Sequence, residues 1–447
     1  MWGKKVLSEE LKKYGYVFSM KKHLLMYAAV IFTMLLLGHF FQMNLPCQVI
    51  LCSLGCISLP FFIRNTMKNK YEQKRFSDIN IYMEQFLYSF QKTQKVLSAL
   101  EDTLVLFEKG RMYRTLEHAI YHIQHTYLEA DVEATALKMI EEKYPGDGIH
   151  MLHQFVLSAE KLGGDCDKSI ALLLDYRRMW ADRVYELLQE QKKSRREVIL
   201  SILTSLLLCS VIYFIGYKLN LNLGKNPFTS IVTMIVLVLD LYIFYQADKK
   251  LSVTPLKKYQ QNDKEMQELW DRYDKYNSKN LFHVIGKKIA AKNLIHNIEK
   301  EFPRWLMEIS LLLQTENVSV AILKSYKYAP AVIKPALEKM IGEMKMHPEA
   351  IQPYLDFLSE FTLPEIRSSM KMLYSISSGY GGDATIQISD IIRRNQLMMD
   401  KSQRIANEDS LSGMYVLFLA PQLTGGAKLI MDLILLFVVY LGHAWML

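Results

Sequence analysis

The sequence predicts an all-α integral membrane protein, in which two repeated cytoplasmic helical bundles are joined to transmembrane helical hairpins. Apolar stretches of about 18–20 residues, enough for a helix to cross a bilayer, alternate with long polar segments along the 447-residue chain. The polar segments show the apolar spacing of amphipathic helices, and they contain no long alternating stretch typical of strands. Basic residues gather beside the apolar stretches.

These patterns divide the chain into six segments. A basic lead-in precedes a first apolar hairpin, a first polar segment, a second apolar hairpin, a second polar segment and a C-terminal apolar region. Their boundaries are 1–23, 24–63, 64–197, 198–246, 247–412 and 413–447. Pro421 and Gly425-Gly426 interrupt the last region, which allows either one kinked span or a compressed hairpin. The sequence favours one span.

The charge distribution predicts the orientation of the chain. The net charge is +8, yet segment 64–197 holds equal numbers of basic and acidic residues. Lysine and arginine instead flank the apolar hairpins, which by the positive-inside rule places the N-terminus and both polar segments in the cytoplasm. We therefore expect a multi-pass protein of the cytoplasmic (inner) membrane. Basic residues in this position suit anionic lipid and not nucleic acid.

The first polar segment is predicted to be helical throughout. An opening helix covers about 81–100, the sequence 145–148 is a break, and another helix runs over about 149–162. The next three residues form a Gly-Gly-Asp corner, in which Gly163 and Gly164 end one helix and Asp165 caps the next. That next helix, about 166–196, is expected to run straight into the third span.

The second polar segment repeats this plan. The pair Phe302-Pro303 is predicted to open a helix, because proline suits a first helical turn, and Pro364 opens another. A second corner, Gly381-Gly382-Asp383, again precedes a helix that runs to the membrane region. Two such corners at a similar depth predict an internal duplication.

Five charged residues are candidates for contacts with partner proteins. Asp240 lies inside the fourth span, where an ionisable group is a functional candidate by default, although a hydrated or helix-paired group also fits. The other four form two arginine pairs after the corners, and either a solvated helix face or contacts with an acidic partner would explain them: Arg177, Arg178, Arg393 and Arg394. Lys428 and Asp432, at an i, i+4 spacing, are expected to neutralise each other.

Enzymatic chemistry is not predicted. His118, His122 and His125 share one helix face, a spacing that could ligate a metal ion, but an amphipathic surface explains them better. The five cysteines form no C-x-x-C pair. No phosphate-binding loop, zinc-protease motif or nucleophile elbow occurs. We therefore expect no catalytic, metal or cofactor site.

In combination, these features resemble the F-domain family of type II secretion and type IV pilus systems, and the closest shape is the Tad/Flp pilus assembly platform. The resemblance rests on the opening helices (81–100 and 303–322), the Gly-Gly-Asp corners and the basic helix that continues into a span. The family's opening helix pair turns on a glycine, whereas this chain has Lys95 and Asn317 near those places.

The resemblance implies an inner-membrane scaffold between a hexameric cytoplasmic secretion ATPase and pilin or pseudopilin subunits in the bilayer. Each polar segment would be a six-helix-type bundle, and the protein would work as a homo- or hetero-oligomer. The four arginines would face the ATPase, and Asp240 would contact a pilin's membrane segment. Three alternatives stay open: a multi-pass transporter or permease, a membrane-bound enzyme using the histidine face, and a signalling receptor.

Overall fold

The computed structural model describes residues 14–15, 19–126, 131–163, 166–219, 226–252, 263–275, 281–314, 316–379 and 384–444. Helices make up most of these residues, and no β-strand occurs among them, which confirms the predicted all-α class. Five helical stretches in the described part of the chain are long and apolar enough to cross a membrane. The chain thus has the build of a multi-pass membrane protein.

The chain forms two compact units. The membrane unit comprises Met1–Arg75, Tyr185–Pro255 and Asp409–Leu447, and it contains the apolar stretches. The polar unit comprises Phe76–Val184 and Leu256–Glu408. Both polar segments of the sequence therefore contribute to a single unit.

The first two helices form the predicted hairpin. Helix α1 spans Met20–Phe40 and α2 spans Leu45–Thr93. Helix α2 begins at Leu45 with Pro46 in its first turn, where a proline lacks only an N–H that has no helical partner. Helix α2 then continues through Pro60 and supplies a wall of the first polar core.

The first polar core is built from α2 and five further helices. These are α3 (Val96–Leu104), α4 (Arg111–His125), α5 (Val132–Lys143), α6 (Asp147–Leu162) and α7 (Asp167–Lys218). Apolar side chains from all six meet in one cluster, which includes Phe86, Leu100, Leu116, Leu137, Leu152 and Ile170. Helix α6 confirms the helix predicted over 149–162. Helix α7 confirms that the next helix runs on, without a break, into the third span.

The second polar core begins after α8 (Pro227–Lys250), the fourth span. It is formed by α9 (Asp263–Lys275), α10 (Leu281–Leu312), α11 (Val318–Ser325), a 3₁₀ turn (Tyr326–Tyr328), α12 (Lys334–Met346), α13 (Gln352–Asp356), α14 (Pro364–Ser377) and α15 (Ala384–Leu411). Its cluster includes Trp305, Leu306, Ile322, Leu337 and Met370. Pro364 begins α14 as predicted.

Pro303 does not open a helix, contrary to the prediction, but lies inside α10. An internal proline removes one helical hydrogen bond and crowds the preceding turn. Its neighbours Phe302 and Trp305 are completely buried in the second core, and burial of two large aromatic side chains offsets the loss.

The two polar cores touch each other within the polar unit. Met307 and Leu311 of α10 and Met399 of α15 belong to the buried cluster of the first core. An ion pair joins Arg183 to Asp400 beside them. We call these five residues the seam. The duplication itself stays a prediction.

The C-terminal apolar region is one helix. Helix α16 spans Met414–Ala444 and continues through Pro421, without the turn that a compressed hairpin would need. Gly413 separates it from α15 with a φ of +76°, a left-handed conformation that glycine adopts without strain.

Candidate functional site

A buried polar cluster lies among the helices of the membrane unit, centred on Asp240 of α8. The Asp240 side chain is only 4% exposed. The Thr424 hydroxyl of α16 lies 3.4 Å from its Oδ1 but only 3.0 Å from the carbonyl oxygen of Pro421. A hydroxyl has one proton to donate, and Oδ2 of Asp240 has no hydrogen-bond partner in the described structure. The carboxylate is therefore buried and poorly satisfied.

An ion pair follows on α16. Lys428 and Asp432 are each 2% exposed and pair with each other, as the i, i+4 spacing predicts. The Lys428 ammonium also lies 4.8 Å from the ring centroid of Tyr213 and 5.7 Å from that of Phe41. These distances allow cation–π attraction. Lys428 thus pairs with Asp432, and among the described residues no basic side chain forms an ion pair with Asp240.

Close helix packing holds this cluster together. Gly425 of α16 approaches α7 so closely that an added Cβ would collide with Ser205. Nearby, the Ser201 hydroxyl donates to the carbonyl of Phe418 at 2.6 Å, and the Cys209 thiol lies 3.7 Å from the carbonyl of Gly425. Small side chains and interhelical hydrogen bonds are the usual means by which membrane helices associate.

An apolar groove has Asp240 among its lining residues. Its volume is about 230 Å³, and it lies between α1, α7 and α8. The walls are lined by Met34, Leu37, Ile202, Leu203, Leu237 and Phe244. Leu203 is 50% exposed, so the groove reaches the outer surface of the helices.

The first arginine pair is split by its environment. Arg177 is 8% exposed and donates to Asn80 Oδ1 at 2.9 Å and to Glu84 Oε1 at 2.8 Å, so it ties α7 to α2. Arg178 is 68% exposed and lies 3.9 Å from Asp175. Arg178 is available to a partner in this structure, whereas the guanidinium of Arg177 is already occupied.

The second arginine pair lines a large cavity in the polar unit. The cavity measures about 750 Å³, and Arg393 and Arg394 are among its lining residues. Apolar residues also line it: Phe302, Leu363, Ile366 and Met398. Arg393 lies 3.4 Å from Asp390. Both arginines are exposed, so the pair can reach an acidic group outside the chain.

The Gly-Gly-Asp corners lie mostly outside the described residues. Gly163 ends α6 with a φ of +70°, a conformation that glycine adopts without strain. Gly164, Asp165, Gly381, Gly382 and Asp383 are not among the described residues, and their corner role stays a prediction.

Neither residue near the family's glycine positions has a left-handed backbone. Lys95 and Asn317 are both extended and precede α3 and α11. The Asn317 side chain accepts a hydrogen bond from the N–H of Val320 at 3.0 Å. The left-handed residue in the first case is Gln94, with a φ of +50°.

The sequence did not predict a histidine network that joins three helices of the first core. The Tyr82 hydroxyl lies 2.9 Å from His153 Nε2. The Glu141 carboxylate lies 2.9 Å from His153 Nδ1 and 2.8 Å from His150 Nδ1. Burial acts to raise the pKa of Glu141, but its hydrogen bonds with the two histidines outweigh burial and lower it to about 2. Tyr82 and His153 are completely buried, whereas Glu141 and His150 are partly exposed. No spacing rule finds the network, because its members lie on three helices.

The histidine face of α4 carries no comparable arrangement. His118 and His125 are exposed, and His125 stacks on Tyr121 with ring centroids 4.0 Å apart. Within the described ranges, no three His, Cys, Asp or Glu side chains are placed to hold a metal ion.

Comparison with protein-family models, curated proteins and solved structures finds no match to this chain.

Proposed function

We propose that the chain is an inner-membrane platform that couples a cytoplasmic secretion ATPase to the assembly of pilin or pseudopilin subunits. The observation that supports this most directly is α7, which runs for 52 residues from the first polar core to the end of the third span. A helix of this length is about 78 Å long. An uninterrupted helix is suited to carry a movement of the polar unit to the membrane helices.

On this proposal, the exposed arginines meet the ATPase. Arg178, Arg393 and Arg394 offer their guanidinium groups at the surface of the polar unit, and guanidinium pairs well with carboxylates. The apolar residues that line the cavity beside Arg393 and Arg394 would add buried area to such a contact. Arg177 is left out of this surface because it pairs inside the core.

The role of α7 is tested by interrupting it. We expect Lys193→Pro to abolish filament assembly or secretion while the ATPase still binds, because an interior proline disrupts the helix by about 3 kcal/mol. Lys193→Ala is the matched control, since it removes the same charge and keeps the helix. Normal assembly with the proline variant would refute coupling through α7.

The ATPase surface is tested by charge reversal. We expect Arg393→Glu with Arg394→Glu to weaken co-purification of the ATPase at least tenfold. The control is Lys339→Glu with Lys345→Glu, which makes the same charge change at exposed positions elsewhere in the polar unit. Equal ATPase binding by both variants would remove these arginines from the interface.

A transporter is the second candidate, and the charged cluster favours it. Asp240, Lys428 and Asp432 are buried among membrane helices, and such groups often mark solute or ion pathways. Flux of a solute or of protons through the purified protein in liposomes, lost in Asp240→Asn, would support a transporter over a platform.

A further inference from the structure

We infer that the groove lined in part by Asp240 receives one positively charged side chain from a membrane-spanning helix of a partner protein. This inference rests on the proposed platform function and specifies what its membrane surface recognises. The occupant is a lysine- or arginine-type side chain on an otherwise apolar helix.

Charge balance among the spans supports a cationic occupant. The apolar stretches 198–217, 228–246 and 414–441 hold three charged side chains: Asp240, Lys428 and Asp432. Two carboxylates thus share one ammonium, and that ammonium is paired with Asp432. A buried carboxylate without a partner is strongly unfavourable in a low-dielectric surrounding. With both carboxylates ionised, the cluster lacks one positive charge.

On this inference, the entering charge would pair with the buried carboxylate of Asp240. Asp240 lines the groove and is buried, and its Oδ2 has no hydrogen-bond partner in the described structure. The Thr424 hydroxyl does not compensate, because it is closer to the Pro421 carbonyl. An ammonium or guanidinium entering the groove would supply charge and hydrogen bonds together.

The shape of the groove fits the rest of such a side chain. Its walls are aliphatic and aromatic, and its volume of about 230 Å³ is too small for a whole helix but suits one long side chain. Lysine and arginine carry an apolar stem that packs on apolar surface while the charged end reaches a polar group. The stem would lie against Leu203 and Phe244, and the charge would meet Asp240.

A designed peptide tests this without knowledge of the natural partner. The full chain, fused at its N-terminus to a fluorescent protein, is placed in liposomes with dye-labelled leucine–alanine peptides long enough to span the bilayer. One peptide has a central lysine and the other has norleucine, which keeps the stem and lacks the charge. We expect energy transfer to show at least tenfold tighter binding of the lysine peptide.

Two variants locate the binding. Asp240→Asn should remove the preference for lysine, because it keeps the size of the side chain and removes its charge. Leu203→Trp should fill the groove and weaken binding of the lysine peptide, whereas Leu207→Trp, on an exposed residue outside the groove, should not.

The possible outcomes separate this inference from the platform proposal. Equal binding of the two peptides, or a lysine preference that survives Asp240→Asn, overturns the inference. Neither result bears on the Lys193→Pro test, which measures assembly in cells, so the platform proposal stands or falls separately.

Discussion

At the scale of single residues, Gln94 holds a backbone shape that suits glycine. Its φ of +50° lies in the left-handed region, between α2 and α3, where a non-glycine residue is disfavoured by about 1–2 kcal/mol. We predict that Gln94→Gly stabilises the protein by up to about 1 kcal/mol after the larger unfolded-state entropy of glycine is counted. The measurement is the melting temperature in detergent. Gln94→Ala is the control and should give no gain.

Arg177 and Arg178 are neighbours in sequence with opposite surroundings. We predict that Arg177→Ala destabilises the protein by about 1–3 kcal/mol, because it leaves Asn80 and Glu84 without their charged partner. Arg178→Ala should change the stability by less than about 0.5 kcal/mol, as expected for an exposed residue. Thermal unfolding of the two variants side by side checks this, and equal losses would contradict the assigned environments.

Glu308 of α10 is predicted to make stability depend on pH. Burial raises its pKa from an ordinary value of 4.5 to about 7, against the opposing effect of Arg304 and His150. A raised pKa means that the folded state favours the protonated form. Its contribution to stability is therefore complete below about pH 4.5 and is lost as the pH rises through 7.

Glu308→Gln removes this titration. We expect the variant and the wild type to have similar stability at pH 5, and the variant to be more stable by about 2 kcal/mol at pH 8, since each pKa unit corresponds to about 1.4 kcal/mol. Melting temperatures across this pH range measure the difference. A difference that does not vary with pH would contradict a buried, titrating Glu308.

Residue environments could be predicted only in part. Asp240 was singled out because charge is rare in an apolar stretch, and it is buried as such a group should be. Arg177 and Arg178 could not be told apart, because the inward face of α7 depends on what packs against it. Glu141 and His153 come together from different helices, so no local pattern reveals them.

At the scale of helices, the sequence predicted a helix well where it contains no glycine or proline, the residues that commonly end helices. The sequence from 167 to 197 has no glycine or proline, and α7 is continuous there as predicted. Pro303 misled the prediction, because proline marks a helix start on average but is tolerated inside a helix when its neighbours are deeply buried. Tertiary packing decided that case.

The contact between α7 and α16 depends on one of two adjacent glycines. We predict that Gly425→Ala destabilises the membrane unit, because its Cβ would meet the side chain and the backbone of Ser205. Gly426→Ala is the matched control: a Cβ there meets nothing within 4 Å, and alanine favours the helix by about 1 kcal/mol. The melting temperatures should therefore move in opposite directions, and a loss in both variants would place the close approach elsewhere.

At the scale of the whole molecule, the charge pattern predicts that both polar segments face the cytoplasm. Single cysteines at Lys109 and Lys339, one in each polar segment, should react with a membrane-impermeant maleimide only after the cells are opened. A cysteine at Gln42, in the turn between α1 and α2, should react in intact cells once the outer layers are permeable. Labelling of either polar segment from outside would overturn the proposed topology.

The organisation of the polar segments could be predicted only to the level of two helical cores. Each core was visible as a periodic apolar pattern and is present. Their union into one unit was not visible, because Met307 and Leu311 fit the ordinary inward face of α10 equally well. An apolar residue in a helix pattern does not reveal which core it will enter.

The seam has a consequence for how the chain is made. A ribosome finishes the first core long before Met307, Leu311 and Met399 emerge, and a membrane hairpin must be inserted in between. Until then, the apolar surface of the first core that these three side chains cover is exposed. We therefore expect a chain truncated after the fourth span to aggregate or to remain bound to chaperones. Co-expression of the missing second half from a separate gene should restore its solubility.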